Sequence, residues 1–170
     1  NLWAVRDKAI AGFSGGMRQR FGIAQALIGN PELIIVDVPT AGLDPEERNR
    51  FLNLLAAIGD NVVVILSTHI VDDVADLCPR MAVLANGRLQ LEGKPADLIA
   101  STRGKVWKKT IDHAELDEHQ QRHEVISTRL FAGNTIIHVL SDSQPAGFEP
   151  VEGGLEDVYF STLSNLRRAA

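Results

Sequence analysis

The chain reads as an α/β protein: a layer of parallel strands alternating with amphipathic helices, followed by a smaller α+β region. Three observations predict this. Two short apolar runs, at 33–36 and 62–66, each end in polar residues, the pattern of parallel strands buried on both faces. A capped amphipathic helix pattern lies between them, as a crossover requires. After about Thr102 the texture changes to alternating strands, a polar stretch, a Pro- and Gly-containing segment and a closing helix.

The 170 residues suffice for one domain with a real core, or one plus a small appendage. Apolar residues make up 45%, which suits a globular protein, and no apolar run approaches the roughly 20 residues that span a bilayer. A net charge of −5 argues against a general nucleic-acid binder. Cys78 is the sole cysteine, so no internal disulfide forms and a reducing compartment is expected. Its apolar neighbours mark it as a small core residue.

The spacing of Met17, Phe21, Ala24 and Leu27 or Ile28 predicts a helix over 17–28, ended by Gly29-Asn30-Pro31. Ser14 and two glycines precede it, which suits either an ordinary Ser N-cap or an anion at a helix N-terminus. The strand at 33–36 leads into Asp37, and Pro39 stops it. Asp44 caps the next helix, Pro45 fits its first position, and Glu47 completes a capping-box-like pair. Phe51, Leu52, Leu55 and Ile58 line one face of that helix, and Gly59 ends it. The strand at 62–66 leads into Ser67, Thr68 and His69, and a short helix follows with Val71, Val74 and Leu77 or Cys78 inward.

Residues 80–85 and 88–91 flank Asn86-Gly87, a two-residue hairpin signal. A short helix is expected at 95–100 and a strand at 106–111. Residues 113–124 are almost wholly polar and must be solvated if helical. Strands at 125–131 and 135–140 form a hairpin around Gly133-Asn134. Residues 141–154, with two prolines and three glycines, read as a linker, and 155–166 as a helix.

A carboxylate at the carboxyl end of a buried strand, as at Asp37, lies where open α/β sheets bind ligands and can hold Mg²⁺ through water. His69, at the end of the neighbouring strand, can touch a phosphate or polarise water. The plainer alternatives are a strand-end cap and a core-edge histidine. His113, His119 and His123 invite a metal reading, but their surroundings look like a solvated, charged helix face.

Four motifs in order carry a resemblance. They are 13–20 (Phe-Ser-Gly-Gly-Met-Arg-Gln-Arg), 33–37 (Leu-Ile-Ile-Val-Asp), 41–44 (Ala-Gly-Leu-Asp) and His69. Together they resemble the ABC-type ATPases, from about Leu2 to the C-terminus and most specifically between Phe13 and Glu92. The resemblance implies part of a P-loop NTPase parallel-sheet core with a helical signature segment over 1–101, and an accessory C-terminal domain with a closing helix over 102–170. It also implies ATP and Mg²⁺ as cofactors and a head-to-tail dimer of two ATPase modules with ATP between them. In that arrangement Ser14, Gly15 and Gly16 contact the γ-phosphate, with Met17 where many members carry Gln. Asp37 organises Mg²⁺ through water, Asp44 packs across the dimer interface, and His69 is the switch histidine. Val38 stands where the family carries its catalytic Glu, so hydrolysis is expected to be weak. The family's Gly-rich phosphate loop does not occur in the 170 residues. The expectation is therefore a C-terminal fragment that is inactive alone and self-associates.

Residues 68–78, 84–89, 93–98 and 155–159 resemble the bacterial multidrug or ABC-2 exporters. There the ATPase is a cytoplasmic chain held at the inner face of the membrane by a permease partner. Alternatives are a non-catalytic nucleotide-gated subunit, or a soluble ABC protein of translation or DNA repair.

Overall fold

The structure, a computed structural model, describes residues 2–168. They form two compact units that divide between Leu77 and Cys78. This division falls ahead of the boundary at 101/102 drawn from the motifs.

In the first unit, two short 3-10 turns, Trp3–Val5 and Ile10–Gly12, lead into α1, Gly15–Ala26. Strand β1 (Leu33–Asp37), α2 (Pro45–Gly59), β2 (Val63–Ser67) and α3 (Val71–Leu77) follow. The two strands are parallel and pair from Leu33↔Val63 through Asp37↔Ser67. α1 starts two residues earlier than its apolar spacing suggests, because the Ser14 hydroxyl caps it by accepting the Met17 N–H at 3.2 Å.

Ile23, Phe51 and Leu55 form the core, with Val36, Val64, Leu43 and Leu77 packed against them. The apolar surface expected on these strands lies on one face. Alternate residues point to opposite faces, and only the face carrying Val36 and Val64 is covered. Leu33, Ile35, Val63 and Ile65 are exposed on the other, Ile35 by 69%.

The second unit opens with the antiparallel hairpin of β3 (Met81–Ala85) and β4 (Arg88–Gly93). Asn86 and Gly87, at φ 53° and 70°, make the predicted two-residue turn. α4 (Pro95–Ala100) follows and packs with α6, the closing helix Leu155–Arg168. Between them lie β5 (Val106–Ile111), a 3-10 turn at His113–Glu115, α5 (Leu116–Arg122), β6 (Glu124–Phe131), β7 (Asn134–Leu140) and β8 (Glu149–Pro150). The sheet order is β6-β7-β5-β8, with every pairing antiparallel.

One face of this sheet buries Ile111, Ile137 and Val139 with Phe148, and Trp107, Leu116 and Val125 border them. On the other face the buried Asp157 of α6 meets His138 at 2.7 Å. The second Asp157 oxygen accepts the Gly154 N–H at 2.8 Å, so one carboxylate both caps α6 and ties it to β7.

Three expectations change here. Residues 141–154 are no linker: β8 pairs with β5, and Phe148, only 3% exposed, completes the core. The polar stretch at 113–124 is not solvated all round, because Leu116 joins the core and His119 and His123 pack edge-on to Phe148. The β6–β7 turn sits at Ala132-Gly133, with φ 49° and 83°, while Asn134 pairs with Phe131.

Candidate functional site

The carboxyl ends of β1 and β2 lie side by side. Asp37 pairs with Ser67 in register, and the Ser67 hydroxyl donates to the Asp37 carboxylate. The Val38 N–H donates to the Ser67 carbonyl at 2.7 Å, carrying the pairing one residue beyond β1. Val38 itself stands at φ 40°. A β-branched residue there is a steric outlier, of the kind that collects at ligand sites.

The chain then turns tightly. Leu43 N–H donates to Thr40 C=O at 3.2 Å, and Gly42, at φ 73°, supplies the left-handed step. Asp44 caps α2 by accepting the Glu47 N–H at 2.8 Å. Glu47 does not complete the expected capping box. Its carboxylate is paired with Arg20 of α1 instead. The pair passes directly over buried Gly16, where any Cβ would collide with the Glu47 carboxylate. A side chain at Gly16 would therefore have to displace the end of the Glu47 side chain, and with it the contact to Arg20.

His69 is exposed in the short segment between β2 and α3. The Thr68 hydroxyl accepts the Ile70 N–H at 3.0 Å and shapes that segment. The structure thus brings Asp37, Val38 and His69 to neighbouring strand ends, and it joins Gly16 to the helix that Asp44 caps. Ser14 and Gly15 are exposed at the start of α1, and Met17 is half-buried.

Four residues escaped the sequence reading: Arg20, Glu47 as an ion-pair partner, Arg48 and Asp73. Asp73 is completely buried. It accepts from the buried Thr40 hydroxyl and from Arg48 Nε, the latter at 2.7 Å. Asp72 lies with it between Val71 and Val74 and is exposed, so no local signal in the sequence separates Asp73 from it.

The residues present fit the groups the motifs call for. Asp37 is exposed and accepts one hydroxyl, leaving acceptor capacity toward a hydrated Mg²⁺. Ser14 and Gly15 present a hydroxyl and free N–H groups at a twelve-residue helix. Val38 offers no acceptor. In the second unit, His119 and His123 stack at 5.8 Å, with Lys109 Nζ 3.4 Å from His119 Nε2. Burial, then Lys109, then His123 hold the His119 imidazole below its ordinary pKa, against the opposing pull of Glu115 and Glu118. Among the described residues no cluster of three or more His, Cys, Asp or Glu is arranged for a metal.

Residues 1–41 match the sequence profile of the ABC transporter family. The chain is 33% identical over 145 residues to the daunorubicin/doxorubicin resistance ATP-binding protein DrrA of Streptomyces peucetius, an alignment covering 85% of this chain and 42% of that protein. It is 30% identical over 157 residues to ABC transporter A family member 10 of Arabidopsis thaliana, covering 92% of this chain and 17% of that protein. Among solved structures it resembles cbiO1 of Clostridium perfringens, part of the ABC transporter complex cbiONQ, with a TM-score of 0.54 and 33% identity, over 58% of this chain and 40% of that one. Residues 1–41 are thus ABC transporter family sequence, and the chain shares the fold of solved ABC ATPase domains. The chain spans less than half the length of each of these relatives. Proteins of this family bind ATP, typically with Mg²⁺. Among the described residues no helix is long and apolar enough to cross a membrane.

Proposed function

We propose that this chain supplies the signature, Mg²⁺-organising and switch segments of an ABC ATPase subunit that powers export through a membrane permease. The observation that carries the proposal is the convergence of Asp37, Val38 and His69 at adjacent strand ends, with Ser14-Gly15-Gly16 docked onto the helix that Asp44 caps. In the whole protein, Ser14 and Gly15 face ATP held by a second subunit, Asp37 holds Mg²⁺ through water, and His69 touches the γ-phosphate and the attacking water. Met17 and Gly16 complete the signature turn, and Asp44 couples the two sites. The subunit sits at the inner face of the membrane, on its permease. The drug-resistance role in the printed name of DrrA supports export.

Val38 favours a second reading, a nucleotide-gated subunit that sandwiches ATP but turns it over slowly. Removing a general base costs about 10²–10⁴ in rate. Mg-ATP hydrolysis and ATP-induced dimerisation of the whole protein test both readings. A slow wild-type rate, raised by Val38→Glu and abolished together with dimerisation by Ser14→Arg, is the expected pattern. A fast wild-type rate that ignores Val38→Glu rules out the slow-turnover reading. Dimerisation unchanged in Ser14→Arg removes the role given to Ser14.

A further inference from the structure

We propose that Asp73 is a positioning residue, holding the switch histidine segment and the 38–44 loop in one common frame. This rests on the ATP-sandwich reading for its functional meaning, but its geometry stands without it. Asp73 is wholly buried at the start of α3 and has no part in the site chemistry described above. A buried carboxylate is retained at a cost unless its oxygens are well partnered. Here the two oxygens are divided between two elements. One accepts from Thr40 in the loop after β1, and the other accepts from Arg48 in the first turns of α2. Arg48 also approaches Asp76 of α3, at 3.9 Å.

Each partner has a short route to a site residue. Thr40 is two residues beyond Val38, and its carbonyl accepts the Leu43 N–H just before Asp44. The Arg48 N–H donates to the Asp44 carbonyl at 2.9 Å, so Arg48 belongs to the turn that Asp44 caps. On the other side, the Asp73 N–H donates to the Ile70 carbonyl at 3.2 Å, and Ile70 follows His69. One side chain therefore fastens both ends of the 38–44 loop and the segment carrying His69. A displacement of the loop by a partner subunit at Asp44 is transmitted to His69 through Asp73, and the reverse holds equally.

Thr40→Val removes the hydroxyl donor and keeps the shape, whereas Thr40→Ser retains the donor. Amide hydrogen exchange of the whole protein without nucleotide is the first readout. In Thr40→Val, exchange is expected to rise about tenfold in both 41–44 and 68–73, the scale of one hydrogen bond to a charged group, with α1 unchanged and Thr40→Ser near wild type. Arg48→Lys, which keeps the charge and loses Nε, is read the same way if Thr40→Val does not fold. The second readout is ATP-induced dimerisation, expected to weaken about tenfold in Thr40→Val by the same coupling. A rise confined to 41–44, or one spread evenly over the first unit, overturns the proposal. If both segments respond but the wild-type protein forms no ATP-dependent dimer, the coupling stands and the ATP-sandwich reading falls.

Discussion

The Val38 N–H donates to the Ser67 carbonyl at 2.7 Å, although Val38 sits at φ 40°. The neighbouring strand end thus holds a β-branched residue in a region of backbone space that such residues avoid. Left-handed backbone at a non-glycine residue costs about 1–3 kcal/mol. Replacing Val38 with Gly is therefore expected to stabilise the protein by roughly 1 kcal/mol, after the added chain entropy of glycine is set against the relieved strain. Chemical denaturation of Val38→Gly and Val38→Ala measures this. A Gly variant no more stable than the Ala variant removes the strain argument.

Gly16 predicts a second outcome. A methyl group there meets the Glu47 carboxylate, and Gly16→Ala must push Glu47 away from Arg20. The displaced group is the end of a flexible side chain, so the expected loss is that of the Arg20 contact, about 1 kcal/mol. Removing the obstacle with Glu47→Ala makes the two changes less than additive, by about 0.5 kcal/mol or more. A double-mutant cycle read by urea unfolding checks it, and strict additivity would mean that Gly16 is needed for another reason.

Acid is expected to loosen the second unit. The folded state holds His119 below its ordinary pKa, so it resists a proton that the unfolded chain accepts. Stability is then full above the ordinary imidazole pKa of about 6.5, and it falls as pH drops through that value toward the lower folded pKa. His119→Gln should flatten this dependence. Thermal melts monitored through Trp107 fluorescence at pH 7.5 and 5.5 test it, and an equal acid shift in both proteins would exclude His119 as the source.

The exposed face of β1 and β2 gives a fourth expectation. Ile35 and Ile65 are paired neighbours on it, flanked by Leu33 and Val63. Apolar surface of this kind finds a partner in water. The 170-residue chain should self-associate at micromolar concentration, and Ile35→Lys with Ile65→Lys should reduce association without changing the buried face. Ultracentrifugation decides, and a monomeric wild-type chain removes the expectation.

The parts of this chain legible in its sequence are those written in local periodicity. Helix α2 announces itself through Asp44, Pro45 and the stripe of Phe51, Leu52 and Leu55. The β3–β4 turn is written in Asn86-Gly87, and the order of Ser14, Asp37, Asp44 and His69 carries the family resemblance. What stayed hidden depends on long-range partners. Glu47 fits a capping box by spacing, yet Arg20, 27 residues away, takes its carboxylate. Asp73 looks like one of several acidic residues on a short helix until Thr40 and Arg48 are folded against it. Phe148 lies among prolines, glycines and serines, where no periodicity reveals that it closes a core. The apolar runs of β1 and β2 mark surface that wants cover, but an unbroken run is blind to which of its two sides is the open one.

The anchoring of Phe148 reverses the usual guidance on where foreign sequence can be added to a protein. By composition, 141–154 is the natural place for a tag or an inserted domain, yet Phe148 and the β5–β8 pairing sit within it. The tip at Ala132-Gly133 looks less inviting because it joins two regular strands. Leu130 and Phe131, which lead into it, are 70% and 63% exposed, and Ala132 and Gly133 are exposed too. Loop tips of that kind accept added chain. The hairpin tip is thus the site for a fluorophore, epitope or fusion partner, and the glycine-rich segment is the one to leave intact.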